Sequence, residues 1–118
     1  MDKYTLAKEA VNKPVVVLKD FLDAINAADF EKARQLTTND MQFKGVLGSV
    51  NGADDYFAQM EKMQLKYAVH KMFPSDQDVA VFYEITMGDQ KIDAAGWYTF
   101  KNDKVHLIQV IFDPRKVI

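Results

Sequence analysis

Apolar positions recur with helical spacing in the first half of the chain and with strand spacing in the second, and the change falls near Leu65. Leu18, Phe21, Leu22 and Ile25 stand at i, i+3, i+4 and i+7 behind Pro14, whose missing N–H suits a first helical turn, so a helix is expected from Pro14 to about Ala28. Asp29 is the expected N-cap of a short second helix through Leu36, with Phe30 and Ala33 turned inward. Met41 to Phe43 reads as a strand, and Gly45 to Gly52 as a glycine-containing loop or short hairpin arm. Ala53, Tyr56, Phe57, Met60 and Met63 form the stripe of a third helix, ending near Gln64. Residues 3–11 can add a helical turn or two, which Lys13-Pro14 would separate from the first helix.

Beyond Leu65 the pattern predicts strands over about 65–73, 78–87, 91–101 and 104–113, parted by Pro74-Ser75-Asp76, Gly88-Asp89 and Asn102-Asp103. Turn residues between β-rich runs make an antiparallel meander the simplest connection. Helices first and strands afterwards predict an α+β domain, three helices packed on one face of a curved sheet. The whole chain, 1–118, reads as one domain with 1–12 as an N-terminal extension, a size at which a single sizeable core forms.

Composition narrows the function classes. A net charge of −2 with scattered Lys and Arg gives no basic surface for nucleic acid. The absence of cysteine removes disulfides, thiolate nucleophiles and cysteine zinc sites. No apolar run reaches the roughly 18 residues needed to cross a bilayer, and the first residues lack a signal-peptide pattern, so a cytoplasmic protein is expected. No metal or other cofactor is expected: the two histidines, His70 and His106, have no ligand spacing, and strand parity places His70 on the outer face.

The segments FLDAINAADFEKARQLTTNDMQF, NGADDYFAQM and KNDKVHLIQVIFDP, in this order, resemble the SnoaL-like branch of the nuclear transport factor 2 (NTF2)-like superfamily, related to ketosteroid isomerase. The resemblance implies the cone-shaped, cystatin-like fold, in which sheet and helices enclose a site for a small hydrophobic ligand. Its members include cyclases, isomerases, dehydratases and epoxide hydrolases, as well as domains that only bind or dimerise, so the fold alone selects no activity. The isomerase pattern of carboxylate base, helix tyrosine and protonated Asp falls on Gly45, Phe21 and about Gly96, and none of these can do the chemistry. The Asp, Arg, Asp set of the epoxide hydrolases has no counterpart, because the two arginines, Arg34 and Arg115, fall outside the expected cone.

In the isomerase register Ile108, Val110 and Phe112 line the cavity and lead to Asp113. That carboxyl is the candidate acid or base if it meets the apolar space; alternatively it caps the strand or tethers the tail through Arg115. Phe21, Tyr56, Met60, Tyr83 and Tyr98 are the further candidate ligand-binding residues, the three tyrosines offering hydroxyls in an apolar pocket. VAVFYEIT and VHLIQVIF are apolar at both parities, which predicts a sheet covered on both faces. A homodimer through the outer face fits this, with Phe82, Trp97 and Ile108 or Ile111 at the contact. Two readings follow: a noncatalytic domain that binds a small hydrophobic molecule, and a SnoaL-like enzyme acting on a small ketone or aromatic through Asp113.

Overall fold

A computed structural model describes residues 12–118, so the expectation of a helical turn in 3–11 lies outside the described residues. The first helix, α1, spans Lys13–Asn26, and the Asn12 side chain accepts from the Val15 N–H at 3.2 Å. It ends where Ala28 takes φ 56°, a left-handed turn that lets the Asp29 N–H reach the Ala24 carbonyl. Asp29 at once caps α2, Phe30–Gln35, by accepting from the Lys32 N–H. After β1, Thr37–Gly45, and β2, Gly48–Asn51, comes α3, Ala53–Met63, which closes on a left-handed Gln64.

The strands β3, Lys66–Ser75; β4, Asp78–Met87; β5, Gln90–Lys101; and β6, Lys104–Phe112, follow as a meander. Together with β1 and β2 they make one six-stranded sheet in the order β2-β1-β6-β5-β4-β3. Every pairing is antiparallel except β1 with β6, which is parallel. No short turn joins these two strands, so turn chemistry does not dictate their relative direction. β1 also starts earlier than its apolar residues suggest, because Thr37 pairs with Val105 of β6 ahead of a register shift that ends at Gln42.

The helices pack their apolar stripes on the inner sheet face. Leu18, Phe21, Leu22 and Ile25 of α1 are buried with Tyr56, Phe57 and Met60 of α3 against Val81, Tyr83, Tyr98 and Ile108. A register shift between Val69 and Lys71 puts a bulge at His70 and reverses strand parity. Before it, Tyr67 packs on the core; after it, Met72 does, and Phe73 emerges on the outer face beside Phe82, their rings 5.7 Å apart.

Candidate functional site

A cavity of about 350 Å3 lies between α3, the β1–β2 turn and the neighbouring ends of β3, β4 and β6. Phe43 of β1 and Val46-Leu47 of the turn form one wall; Tyr56, Met60 and Met63 of α3 form another. Tyr67, Ile85, Val110 and Phe112 close it from β3, β4 and β6. Among the described residues, none that lines this space is charged or a histidine; the polar side chains are Ser49, Gln59, Tyr56 and Tyr67. Ser49 and Gln59 are exposed at the rim, whereas Tyr56 is 4% exposed.

Tyr67 is placed by the end of α1. The Asn26 amide donates to the Tyr67 carbonyl at 2.8 Å and accepts from the Tyr67 N–H at 2.7 Å, as a neighbouring strand would. The Lys66 ammonium adds a bond to the Asn26 carbonyl at 2.8 Å. Burial raises the pKa values of Tyr56, Tyr67, Tyr83 and Tyr98, and the mutual influence of these phenols raises those of Tyr56, Tyr67 and Tyr98 further. All four are therefore neutral near pH 7. Tyr83 and Tyr98 satisfy each other through a hydroxyl–hydroxyl bond of 2.9 Å. Among the described residues, no group hydrogen-bonds to the Tyr56 or Tyr67 hydroxyl.

A SnoaL-like domain model matches residues 18–108. The chain belongs to the SnoaL-like domain family. This SnoaL-like domain is similar to an NTF2-like protein of unknown function from Cytophaga hutchinsonii, with 34% identity and a TM-score of 0.87 over 88% of this chain and 93% of that one. Its fold is shared by an M. tuberculosis LEH-like epoxide hydrolase, at 15% identity and TM-score 0.76 over 87% and 84% of the two chains. An uncharacterized cystatin fold protein from Novosphingobium aromaticivorans gives 18% identity and TM-score 0.75 over 83% and 97%. No functionally curated protein matches the chain in sequence.

Of the expected ligand-binding residues, Tyr56, Met60, Val110 and Phe112 line the cavity of the SnoaL-like domain. Phe21, Tyr83, Tyr98 and Ile108 do not; they are buried in the core, where Phe21 meets the rings of Phe57 and Tyr98 edge-on, each at 6.3 Å. Gly96 explains part of the difference. A Cβ there would collide with the Tyr83 hydroxyl and the Tyr98 ring, so this tyrosine pair fills the space that an inward side chain at 96 would need. Ile108, expected at either the cavity or the dimer contact, is at neither: it faces the helices, and Ile111 is the outward residue at 68% exposure.

Asp113 does not stand at the cavity as the candidate acid or base would; it takes the alternative expected for it, a cap tied to Arg115. It is exposed, caps a short 3-10 turn over Pro114–Lys116, and does not line the cavity. The Arg115 guanidinium and then the Arg115 N–H hold its carboxyl below the usual carboxylate range, the opposite of what an acid near pH 7 needs. The histidines also stand apart. His70 is on the outer face, 3.9 Å from Asp93, and the His106 Nδ1 meets both Thr38 Oγ1 at 2.8 Å and Asp40 Oδ1 at 3.7 Å. Hydroxyl and carboxylate address the same ring nitrogen, so the imidazole cannot relay a proton between them.

The residues missed by pattern alone include Phe43, Val46, Leu47, Met63, Tyr67, Ile85 and Met87. Tyr67 carried a usable signal, because it shares inward parity with Leu65 and sits just after a helix stop. Val46-Leu47 also did, as an apolar pair at a turn between two glycines. Among the described residues no cluster of His, Asp and Glu could hold a metal ion.

Proposed function

We propose that this SnoaL-like domain binds a small, uncharged hydrophobic molecule between α3, the β1–β2 hairpin and the neighbouring ends of β3, β4 and β6. The observation that carries this reading is the chemistry of the lining: apolar and aromatic side chains with a few neutral polar groups, in a space within the range of small-molecule sites. Acid–base catalysis needs a group that gains or loses a proton near the working pH, and among the described residues none that lines the cavity is of that kind. The neutral tyrosines donate and accept hydrogen bonds without transferring protons at pH 7.

Native mass spectrometry of the protein purified from its own source is expected to retain one small molecule per chain. A neutral fluorescent probe, N-phenyl-1-naphthylamine, is expected to bind the emptied protein once per chain, and Met63→Trp, at the mouth, to weaken it at least several-fold. Probe binding indifferent to this substitution, in a variant with an unaltered circular dichroism spectrum, would refute the assignment of the cavity.

The outer face supports a homodimer. Trp97 is 51% exposed and stands with Phe73, Phe82 and Ile111 around a groove of about 700 Å3. Apolar side chains so grouped mark an interaction surface. Sedimentation at micromolar concentration is expected to give a dimer, and Ile111→Asp a monomer; a wild-type monomer would overturn the pairing.

A further inference from the structure

The β1–β2 turn stands between two spaces. Gly45, Val46 and Val110 line both the inner cavity and the groove on the outer sheet face. Val110 is held in β6 at 6% exposure and Gly45 has no side chain, so Val46, 45% exposed, is the one of the three whose side chain can shift. The turn bears on the cavity through Phe43. A Cβ at Gly45 would stand 2.9 Å from the Phe43 ring, and that ring packs on Tyr56 with centroids 5.7 Å apart. We propose that a second copy of this chain, seated on the outer groove, completes the outer side of the cavity wall at Val46, so that ligand binding and dimerisation strengthen each other. This rests on the binding function and the homodimer proposed above.

The sign of the coupling follows from how the turn is held. β2 ends the sheet and pairs with β1 alone, and Val46 and Leu47 at the tip are 45% and 58% exposed. A segment with so little apolar burial opens at low cost. Fixing it costs conformational entropy, and whichever partner binds first bears that cost, so the next binds more tightly. By linkage each event raises the affinity of the other by the same factor. The groove also suits a copy of itself. Its charged lining residues are Lys44 on β1 and Asp78 on β4, which flank it across β6 and β5, and the Trp97 indole donates to the Asp78 carboxylate at 3.1 Å. A two-fold axis along the strands between β5 and β6 exchanges these sides and sets Lys44 of each copy over the Asp78 side of the other, the self-complementary match of an isologous contact. A partner of one charge sign, such as nucleic acid or an anionic membrane, would meet a like charge at Asp78.

The test measures the affinity of N-phenyl-1-naphthylamine for the wild type at protein concentrations below and above the dimer midpoint found by sedimentation, and for Ile111→Asp. Ile111 lines the outer groove and not the cavity. The dye is expected to bind the monomer about fivefold or more weakly than the dimer, and saturating dye to lower the dimer dissociation constant by the same factor. Hydrogen exchange of the Val46 and Leu47 amides should slow in the dimer and slow further with dye. Val46→Ala, which trims the shared side chain, is expected to bring the coupling factor close to one. Equal dye affinity in monomer and dimer, or dye that splits the dimer, overturns the proposal while leaving the cavity and the pairing in place. A coupling that Val46→Ala leaves unchanged overturns it as well. Circular dichroism checks that the variants are folded, and if Ile111→Asp is not, the wild-type dilution series decides. A wild-type monomer at every concentration overturns the pairing, a wild type that binds no dye overturns the binding function, and either takes this proposal with it.

Discussion

The two ends of the cone are built from the same kinds of side chain yet serve opposite ends. Around Phe21, Tyr83 and Tyr98 every large group is enclosed and each polar atom is paired: ring edges meet ring faces, and the two hydroxyls bond each other. Around Tyr56, Tyr67 and Met63 a cavity stays open, and among the described residues none bonds to the two tyrosine hydroxyls. Aromatic and methionine content therefore does not separate core from pocket. What separates them is whether the backbone brings a second layer to within contact distance.

The largest difference between the two ends should appear on truncation. Phe21, at 0% exposure, lies at the centre of the packed end, and Phe21→Ala is expected to cost about 4 kcal/mol in denaturant unfolding. Met63 at the mouth is 46% exposed, and Met63→Ala should cost under about 1 kcal/mol. Equal losses would erase the distinction between core and pocket wall.

A smaller contrast tests the hydroxyls. Tyr98→Phe leaves the Tyr83 hydroxyl buried without its bond, an expected loss of about 1–2 kcal/mol. Tyr56→Phe removes a hydroxyl that no described residue completes, so the ligand-free protein should lose nothing and can gain up to about 1 kcal/mol. Thermal melts of both variants in the same buffer decide the sign. A destabilised Tyr56→Phe would show that its hydroxyl is already satisfied.

The smallest effect is alkaline, and here both ends act together. The folded pKa values of all four tyrosines are raised above the ordinary value near 10 by burial first. Below pH 10 both folded and unfolded chains keep these protons, and the full stability is present. Above pH 10 the unfolded chain releases them first, so stability falls as pH rises. Absorbance at 295 nm should show these four phenols ionising only when the protein unfolds. Ionisation of any of them near pH 10 in the folded protein would contradict its enclosure.

Much of the fold was legible because it rests on local chemistry. The spacing of Leu18, Phe21, Leu22 and Ile25 marks α1, Asp29 caps α2, and the Gly88-Asp89 and Asn102-Asp103 turns bound the meander strands. The direction of β1 against β6 and the bulge at His70 were not legible, since both come from pairing between distant segments. The candidate site was legible only in small part. Helical spacing pointed to Tyr56 and Met60 and the register implied by the resemblance to Val110 and Phe112, but such patterns say only which face a side chain takes, and Phe21, Tyr83, Tyr98 and Ile108 share that face while being packed shut.

By itself the sequence determined the α+β class, the family, and the lack of an isomerase carboxylate at Gly45 or Gly96, because periodicity, turn residues and residue identity are properties of short segments. Tertiary structure alone decided where the cone is filled and where it opens. It kept Asp113 out of the cavity, so the local pairing with Arg115 that the sequence already offered is the one the carboxylate makes. It also let the Tyr83–Tyr98 pair occupy the space beside Gly96 and left Tyr56 and Tyr67 facing a cavity. Packing of this kind depends on the distances between elements far apart in the chain, which no local pattern encodes.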